Sequence, residues 1–344
     1  MPTIDDVAKA AGVSASTVSY VLSGKRSISA PTRRRVEQAI STLGYRPHAG
    51  ARALASSRTN VIGLMAPLRS GVDVSVIMQF VTGVVTRARD VDHDVLLLTQ
   101  DDTGGIERVA AGSMVDAIVV MDVEADDTRL PVLRTLRQPT VLIGLPHEPA
   151  GLSCVDLDWE AAGRLAARRL ADDGHRDVAL IGSPPEVLDR RTSYAERVVR
   201  GFRGAAAEDG LTPVVVPCEP TPDGARRALD AALGEGPRGD GPGARSDRPT
   251  GLVVHNERAL PHVLAGLAER GLDVPGDVGV IAICPGDVAV SQRLPLTSID
   301  IPGELIGGVA VDMVMARLEG GQPAESRLIA PELTQRASTT PRVA

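Results

Sequence analysis

The residues best placed to do chemistry at a defined spacing sit near the amino terminus. In AGVSASTVSYVL, Ala11 to Leu22, Gly12 supplies a tight turn and Ser14 is a good N-cap. Val13 and Val18 fall at the spacing of a hydrophobic staple, so a helix is predicted to begin at Ala15. Val18, Val21 and Leu22 form its apolar stripe, while Ala15, Ser16, Ser19 and Tyr20 lie on other faces with short or flat polar groups. A face of small hydroxyl-bearing side chains is suited to approaching base edges, because a hydroxyl both donates and accepts and adds little bulk.

Enzyme chemistry finds less support. No GxGxxG follows a strand, and GxxxxGK[ST], GxSxG and HExxH are absent. GSPP at 182–185 makes a turn and not a phosphate cradle. His175, in DDGHRD, is the most tempting catalytic side chain, but capping between a helix end and a strand explains it more simply. Asp156 and Asp158 flank a strand end in CVDLDWEAAG, where Asp158 can cap the next helix, point into a cleft, or do both. No catalytic residue is assigned. Cys154, Cys218 and Cys284 are odd in number, far apart and without CxxC or Cys/His spacing, which suggests neither a disulfide framework nor a metal site. No cofactor is expected, and a reducing cytoplasm is the predicted home. No signal peptide opens the chain and no 18-residue apolar run occurs, so membrane association is not expected.

The elements around the first motif extend it. TIDDVAKAAG has a capping pair, Thr3 and Asp6, with apolar Ile4, Val7, Ala8 and Ala11 at helical spacing. Ser29 is predicted to cap a third helix in which Val36, Ala39, Ile40 and Leu43 repeat that spacing before Gly44 ends it. Three short helices then share one small core. Residues 1–60 hold nine basic side chains against three acidic ones, a net +6, which leaves −13 for the remainder of a chain whose total is −7. One end is a polyanion binder and the rest is not. A run such as TRRR is by default a solvated helix face; beside a helix-turn-helix, Arg33 to Arg35 anchor phosphates, which sets register without reading sequence. Pro47 breaks the third helix, and HAGARALASS is rich in helix formers but too short to be stable alone, so it reads as a hinge.

From Asn60 onward, β-rich runs alternate with amphipathic helical stretches. Strands are predicted at 61–67, 94–99, 117–121, 140–144, 177–182, 212–217, 251–255, 278–283 and 296–301. Continuous Val/Ile/Leu runs bounded by turns describe strands buried on both faces, hence parallel sheets covered by helices. A chain of 344 residues, 43% hydrophobic, is long enough for a headpiece and one large or two medium domains. The segment 234–249, dense in Gly, Pro, Asp and Arg, reads as an exposed insertion without assigned function. The helix after Pro302, with Leu305, Ile306, Val309, Met313 and Leu318, suits core packing and a dimer surface equally.

The stretch TIDDVAKAAGVSASTVSYVLSGKRSISAPTRRRVEQAISTLGYRPHAGARALASSRTNVIGLMAP resembles the headpiece, hinge and first core strand of the LacI family of bacterial transcription regulators. RLAARRLADDGHRDVALIG and LPLTSIDIPGELIGGVAVDMVMARLEGG resemble family signatures further on, so the likeness covers essentially the whole chain. It implies an all-α helix-turn-helix headpiece at 1–47, a hinge helix at 48–59 and an α/β core at 60–344. The core would hold two doubly wound parallel-sheet subdomains of periplasmic-binding-protein type, with chain crossings near 157, 286 and 320. The implied function is a ligand-switched repressor that binds pseudo-palindromic double-stranded operator DNA as a homodimer or larger assembly. The competing reading is a solute-binding protein with no transcriptional role. DNA contact is expected from Thr3, Ser14, Ala15, Ser16, Thr17, Ser19, Tyr20, Lys25, Arg26, Arg33, Arg46, Arg52, Leu54 and Ala55. Tyr20 stands where the family often has Arg or His, and Leu54 matches a leucine that wedges into the minor groove; outside the family context Leu54 would simply pack a linker helix.

For the small-molecule effector the chain departs from the family. Many sugar-binding members carry an acid after the strand that here ends at Gly144, an Arg three residues before the position of Gly201, and an Asp at the position of Glu257. Here those sites hold Gly144, Val198 and Glu257; the nearest arginine, Arg197, is displaced by one residue, or about 100° around a helix. The expected contacts are Arg69, Asp158, Trp159, Arg197, Asn256 and Glu257, and the expected ligand is a polar small molecule other than a plain hexose, such as a modified or larger saccharide. Trp159, the sole tryptophan, either stacks on the ligand or packs the start of its helix.

Overall fold

The computed structural model describes residues 2–23, 26–45, 58–69, 71–98, 102–112, 114–234, 249–320 and 323–341. Lys25, Arg46, Arg52, Leu54 and Ala55, nearly all of the 48–59 hinge, and 235–248 of the insertion lie outside these described residues. Three helices come first: α1 (Ile4–Ala11), α2 (Ala15–Ser23) and α3 (Ala30–Leu43). Thr3 and Asp6 form a reciprocal capping box, with the Asp6 carboxylate accepting from the Thr3 backbone N–H at 2.7 Å. Ser14 caps α2 by accepting from the Thr17 N–H at 3.2 Å. Gly12 and Gly44 end α1 and α3 in the left-handed region, φ 64° and 61°, where a side chain would be strained.

Val7, Ala8, Ala11, Val18, Val36, Ala39 and Tyr45 close the headpiece core. Two expected members are outside it: Leu22 is 41% exposed and Leu43 37%. Both fall in the last turn of their helices, and helices this short cover one another only over their central turns. Ser29 also differs from expectation. Its hydroxyl donates to the Thr32 side chain at 3.0 Å instead of capping a backbone N–H, and Pro31 in the first turn helps to start α3.

Among the described residues the core contains two six-stranded sheets. The first is ordered β11 (Ser326–Ile329), β5 (Ser153–Leu157), β4 (Thr140–Ile143), β3 (Ala117–Val120), β1 (Val61–Met65), β2 (Asp94–Leu98), parallel throughout. The second is ordered β12 (Leu333–Thr334), β10 (Thr297–Ile299), β9 (Gly279–Ile283), β8 (Gly251–Val254), β6 (Asp177–Ile181), β7 (Thr212–Val216), parallel except for β12. The nine apolar runs all form strands. β5, β11 and β12 escape that signal: Ser153 and Asp156 interrupt β5 although it is wholly buried, and the other two are short, largely exposed edge strands.

The chain leaves the first sheet after Leu157, returns to it between Ile299 and Gly303, and passes back to the second between Ile329 and Leu333. The second and third crossings are thus not near 286 and 320. Residue 286 opens the short helix Gly286–Ser291 beside β10 in the second subdomain, and 320 follows the helix Gly303–Leu318 that precedes β11 in the first.

Each subdomain is braced by a helix pair at backbone contact. The first pairs α4 (Val74–Asp90) with α13 (Gly303–Leu318); the second pairs α7 (Trp159–Asp172) with α9 (Ser193–Glu208). A Cβ on Gly201 would lie 1.9 Å from the Glu160 carbonyl oxygen, and one on Gly83 would lie 2.1 Å from that of Glu304. Core packing accounts for Ile306 and Met313 on α13, while Leu305 is left 54% exposed.

Candidate DNA-reading face and ligand cleft

On α2, Val18 is fully buried, which turns Ser16 and Tyr20 outward and leaves Ala15, Thr17 and Ser19 half-buried. Ser14 and Thr17 share a hydroxyl hydrogen bond of 2.9 Å at the head of this helix. The Arg26 guanidinium lies 5.8 Å from the centre of the Tyr20 ring, and Thr3 and Arg33 are exposed nearby in sequence to the α1 and α3 starts. The exposed face of this capped helix therefore presents the Ser16 hydroxyl and the Tyr20 phenol, with the Arg26 cation just beyond the helix end.

Between the subdomains lies a cavity of about 120 Å³ at the carboxyl ends of the strands of both sheets. Residues 71–73 follow β1, Asp122 and Val123 follow β3, and Gly144 follows β4 on one side. Ser183 and Pro184 after β6, and His255, Asn256 and Glu257 after β8, supply the other side. Trp159, Tyr194 and His255 form one wall, with ring centres 5.3 to 5.7 Å apart.

Burial dominates the electrostatics here. It pushes the Asp156 carboxyl up to about 7, against the opposing effect of the Arg197 charge and the Trp159 hydrogen bond. It pushes Glu257 up to about 7 as well, helped by the charge of Asp73 and opposed by a bond from the residue's own backbone N–H. The same burial lowers His255 to about 4, so its ring is neutral at neutral pH.

Of the six residues expected to meet the ligand, Trp159, Asn256 and Glu257 line the cavity. Arg69, Asp158 and Arg197 are not among its lining residues, and their charges are engaged with neighbouring side chains and helix ends. Arg69 reaches Glu124 at 3.0 Å and Asp122 at 3.3 Å; Asp158 caps α7 through the Ala161 N–H at 3.1 Å; Arg197 is buried against Asp156 at 3.0 Å and Asp158 at 3.4 Å. These groups hold the wall from behind. Trp159 both packs its helix start and faces the cavity, its indole N–H donating to Asp156 at 2.8 Å. Asn256 donates to the Cys218 carbonyl at 2.7 Å and accepts from the Ala259 N–H, which fixes the turn that presents Glu257. His175 is enclosed, bonding Thr250 at 2.9 Å far from the cavity lining, a structural role.

The departures from the family pattern have local causes. Gly144 has φ 137°, and a Cβ there would lie 2.6 Å from the Val123 side chain, so an acid cannot stand at that site. Val198 is fully buried where α9 meets α7. Asp73, Asp122, Tyr194 and His255 were missed; three of them directly follow strands or cap the next helix, so a search of strand carboxyl ends would have found Asp73, Asp122 and His255.

A helix-turn-helix headpiece joined to a two-subdomain α/β core, with a mainly apolar cleft that carries a few carboxylates, defines a DNA-binding regulator with a ligand-binding core. Comparison with known proteins agrees. Residues 3–48 match the model for bacterial regulatory proteins of the lacI family, and 167–339 match a periplasmic binding protein-like domain. The HTH-type transcriptional regulator CelR of Thermobifida fusca is 30% identical over 95% of both chains. A solved transcriptional regulator CelR–cellobiose complex superposes with a TM-score of 0.66 at 25% identity, covering 98% of this chain and 100% of that one. The lac repressor dimer bound to operator and the anti-inducer ONPF shares the fold, TM-score 0.81 at 22% identity, over 98% and 99%. The chain belongs to the lacI family of bacterial regulatory proteins, whose members are DNA-binding transcriptional regulators and not enzymes. A solute-binding protein without a transcriptional role is set aside by the headpiece match.

Proposed function

We propose that this regulator works as a cytoplasmic homodimer or larger assembly on a pseudo-palindromic operator, with α2 of each protomer in a major groove. The observation that carries this is the capped α2 with its exposed Ser16 and Tyr20, in a headpiece whose end of the chain carries the positive charge. Two copies reading two half-sites make one short helix sufficient. A reducing compartment suits the three free, buried thiols. The hinge residues Arg52, Leu54 and Ala55 and the basic Lys25, Arg33 and Arg46 complete the proposed DNA contacts. A small polar ligand, of the size class exemplified by the cellobiose of the solved CelR complex, closes the two subdomains and repositions the headpieces. Anisotropy titrations of operator and random duplex at several salt concentrations test the reading. Specific binding should weaken steeply with salt. Tyr20→Ala should cost about 1–3 kcal/mol on operator and far less on random duplex, whereas equal losses on both would reduce Tyr20 to a packing or phosphate contact.

A further inference from the structure

Four carboxylates line the cleft, Asp73, Asp122, Asp156 and Glu257, and no lysine or arginine side chain does so among the described residues. Two of the four are neutralised from behind. Asp122 is held by Arg190 at 2.6 Å and Arg69 at 3.3 Å, and Asp156 by Arg197 at 3.0 Å. The other two line the same cavity from opposite subdomains, Asp73 ahead of α4 and Glu257 after β8. Asp73 caps α4, its carboxylate accepting from Ser75 at 2.6 and 2.8 Å; Glu257 follows β8 and has no basic side chain within ion-pair distance among the described residues. Beside them, His255 is only 5% exposed and faces the cavity, and neither ring nitrogen has a hydrogen-bond partner among the described residues. A polar group with an unmet bond is thus built into the same wall as Trp159 and Tyr194.

We infer that the cleft takes an organic cation, a small polar molecule whose amine or amidinium group sits between Glu257 and Asp73 against the Trp159–Tyr194–His255 wall. This rests on the reading of the cleft as the effector site. Like charges on the two subdomains oppose closure, and a cation between them turns that repulsion into two charge-assisted hydrogen bonds. The aromatic faces add attraction for the same charge. Because Asp73 and Glu257 approach only when the subdomains close, the cation binds the closed state better than the open one, which is the condition for a ligand to switch a conformation. A neutral saccharide leaves the repulsion in place, and an anion meets the unpaired carboxylates of Asp73 and Glu257.

The test uses the full chain at neutral pH with matched probes: glucosamine against N-acetylglucosamine, putrescine against butane-1,4-diol, and glucose 6-phosphate as an anion. Trp159 fluorescence and thermal shift report binding, on wild type, Glu257→Gln and Asp73→Asn. The expected result is that the amines bind better than their neutral partners and that Glu257→Gln loses about tenfold or more of that affinity. Asp73→Asn keeps a residue type that caps a helix and is expected to lose amine affinity in the same direction, so a folding defect in one variant does not decide the matter. Neutral or anionic probes binding as well as the amines, or amine binding unchanged in both variants, would overturn the cation while leaving the effector cleft standing. If no probe of any charge perturbs Trp159, both the cation and the cleft reading fall. Ligand-free operator binding, measured in parallel, keeps the regulator reading separate from either outcome.

Discussion

At the scale of residues, the unusual groups are acids that the fold buries without a full complement of bases. Glu257 lies among Asp73, Tyr194 and Cys284, and the burial that raises its carboxyl to about 7 makes its ionised form costly in the native state. The sign follows from proton counts. Between about pH 4.5 and 7 the unfolded chain has released this proton while the native state still holds it, so stability falls as pH rises through that window. His255 acts in the opposite direction: lowered to about 4, it makes the native state lose stability as pH falls below about 6.5. Comparing wild type with Glu257→Gln isolates the acid. The stability of wild type relative to the variant should decline from about pH 4.5 to 7 and then level off in urea titrations. A difference that does not change with pH would show that Glu257 is solvated in the native protein.

At the scale of elements, the α7–α9 pair shows why particular glycines stand in helices that otherwise favour alanine. Gly201 sits where the Glu160 backbone crosses, and a methyl group at 1.9 Å from that carbonyl forces the helices apart. Gly204, one turn further along α9, would place its Cβ no nearer than 3.6 Å to the tip of Arg164. The two substitutions should therefore differ in sign. Gly201→Ala is expected to destabilise by about 1–3 kcal/mol or more through overpacking, and Gly204→Ala to stabilise by about 0.5–1 kcal/mol through helix propensity. Equal effects in denaturant melts would mean that the helices can separate without cost. Since α7 starts at Trp159 and α9 at Ser193, both cavity-lining positions, displacement of this pair should also move the cleft wall.

At the scale of the whole molecule, the subdomains are clasped along one edge of the cleft. Glu124 and Thr192 form an antiparallel bridge, the Ala125 N–H donates to the Arg191 carbonyl at 2.7 Å, and the Ser193 N–H donates to the Val123 carbonyl at 3.0 Å. Arg190 pairs with Asp122 across the same edge, and Arg191 with Asp126. Asp122 is almost fully enclosed, so the Arg190 bond should contribute more than a surface pair, about 1.5–3 kcal/mol toward the closed arrangement. Arg190→Ala should shift the population toward open subdomains, seen as a larger radius of gyration in solution scattering and weaker binding of any cleft ligand, with operator contacts of the headpiece residues themselves untouched. An unchanged scattering profile would show that the backbone bonds alone hold the clasp.

Periodicity and capping determined a good deal from sequence alone. The three headpiece helices were legible because their turns, caps and apolar spacing are local, and nine strands were legible because a strand buried on both faces must be continuously apolar. Trp159, Asn256 and Glu257 could also be placed on the cleft between the subdomains by their positions in the motifs. Distances across the chain were not legible. Whether Arg197 meets a ligand or Asp156 depends on how α9 lies against β5, and Arg69 is held by Asp122 and Glu124 from a loop more than fifty residues away in sequence. The interrupted strand β5, the crossings between Ile299 and Gly303 and between Ile329 and Leu333, and the meeting of Asp73 and Glu257 in one cavity lining were likewise decided by packing. Charge pairing is set by three-dimensional proximity, and local patterns specify elements without specifying which polar side chains those elements bring face to face.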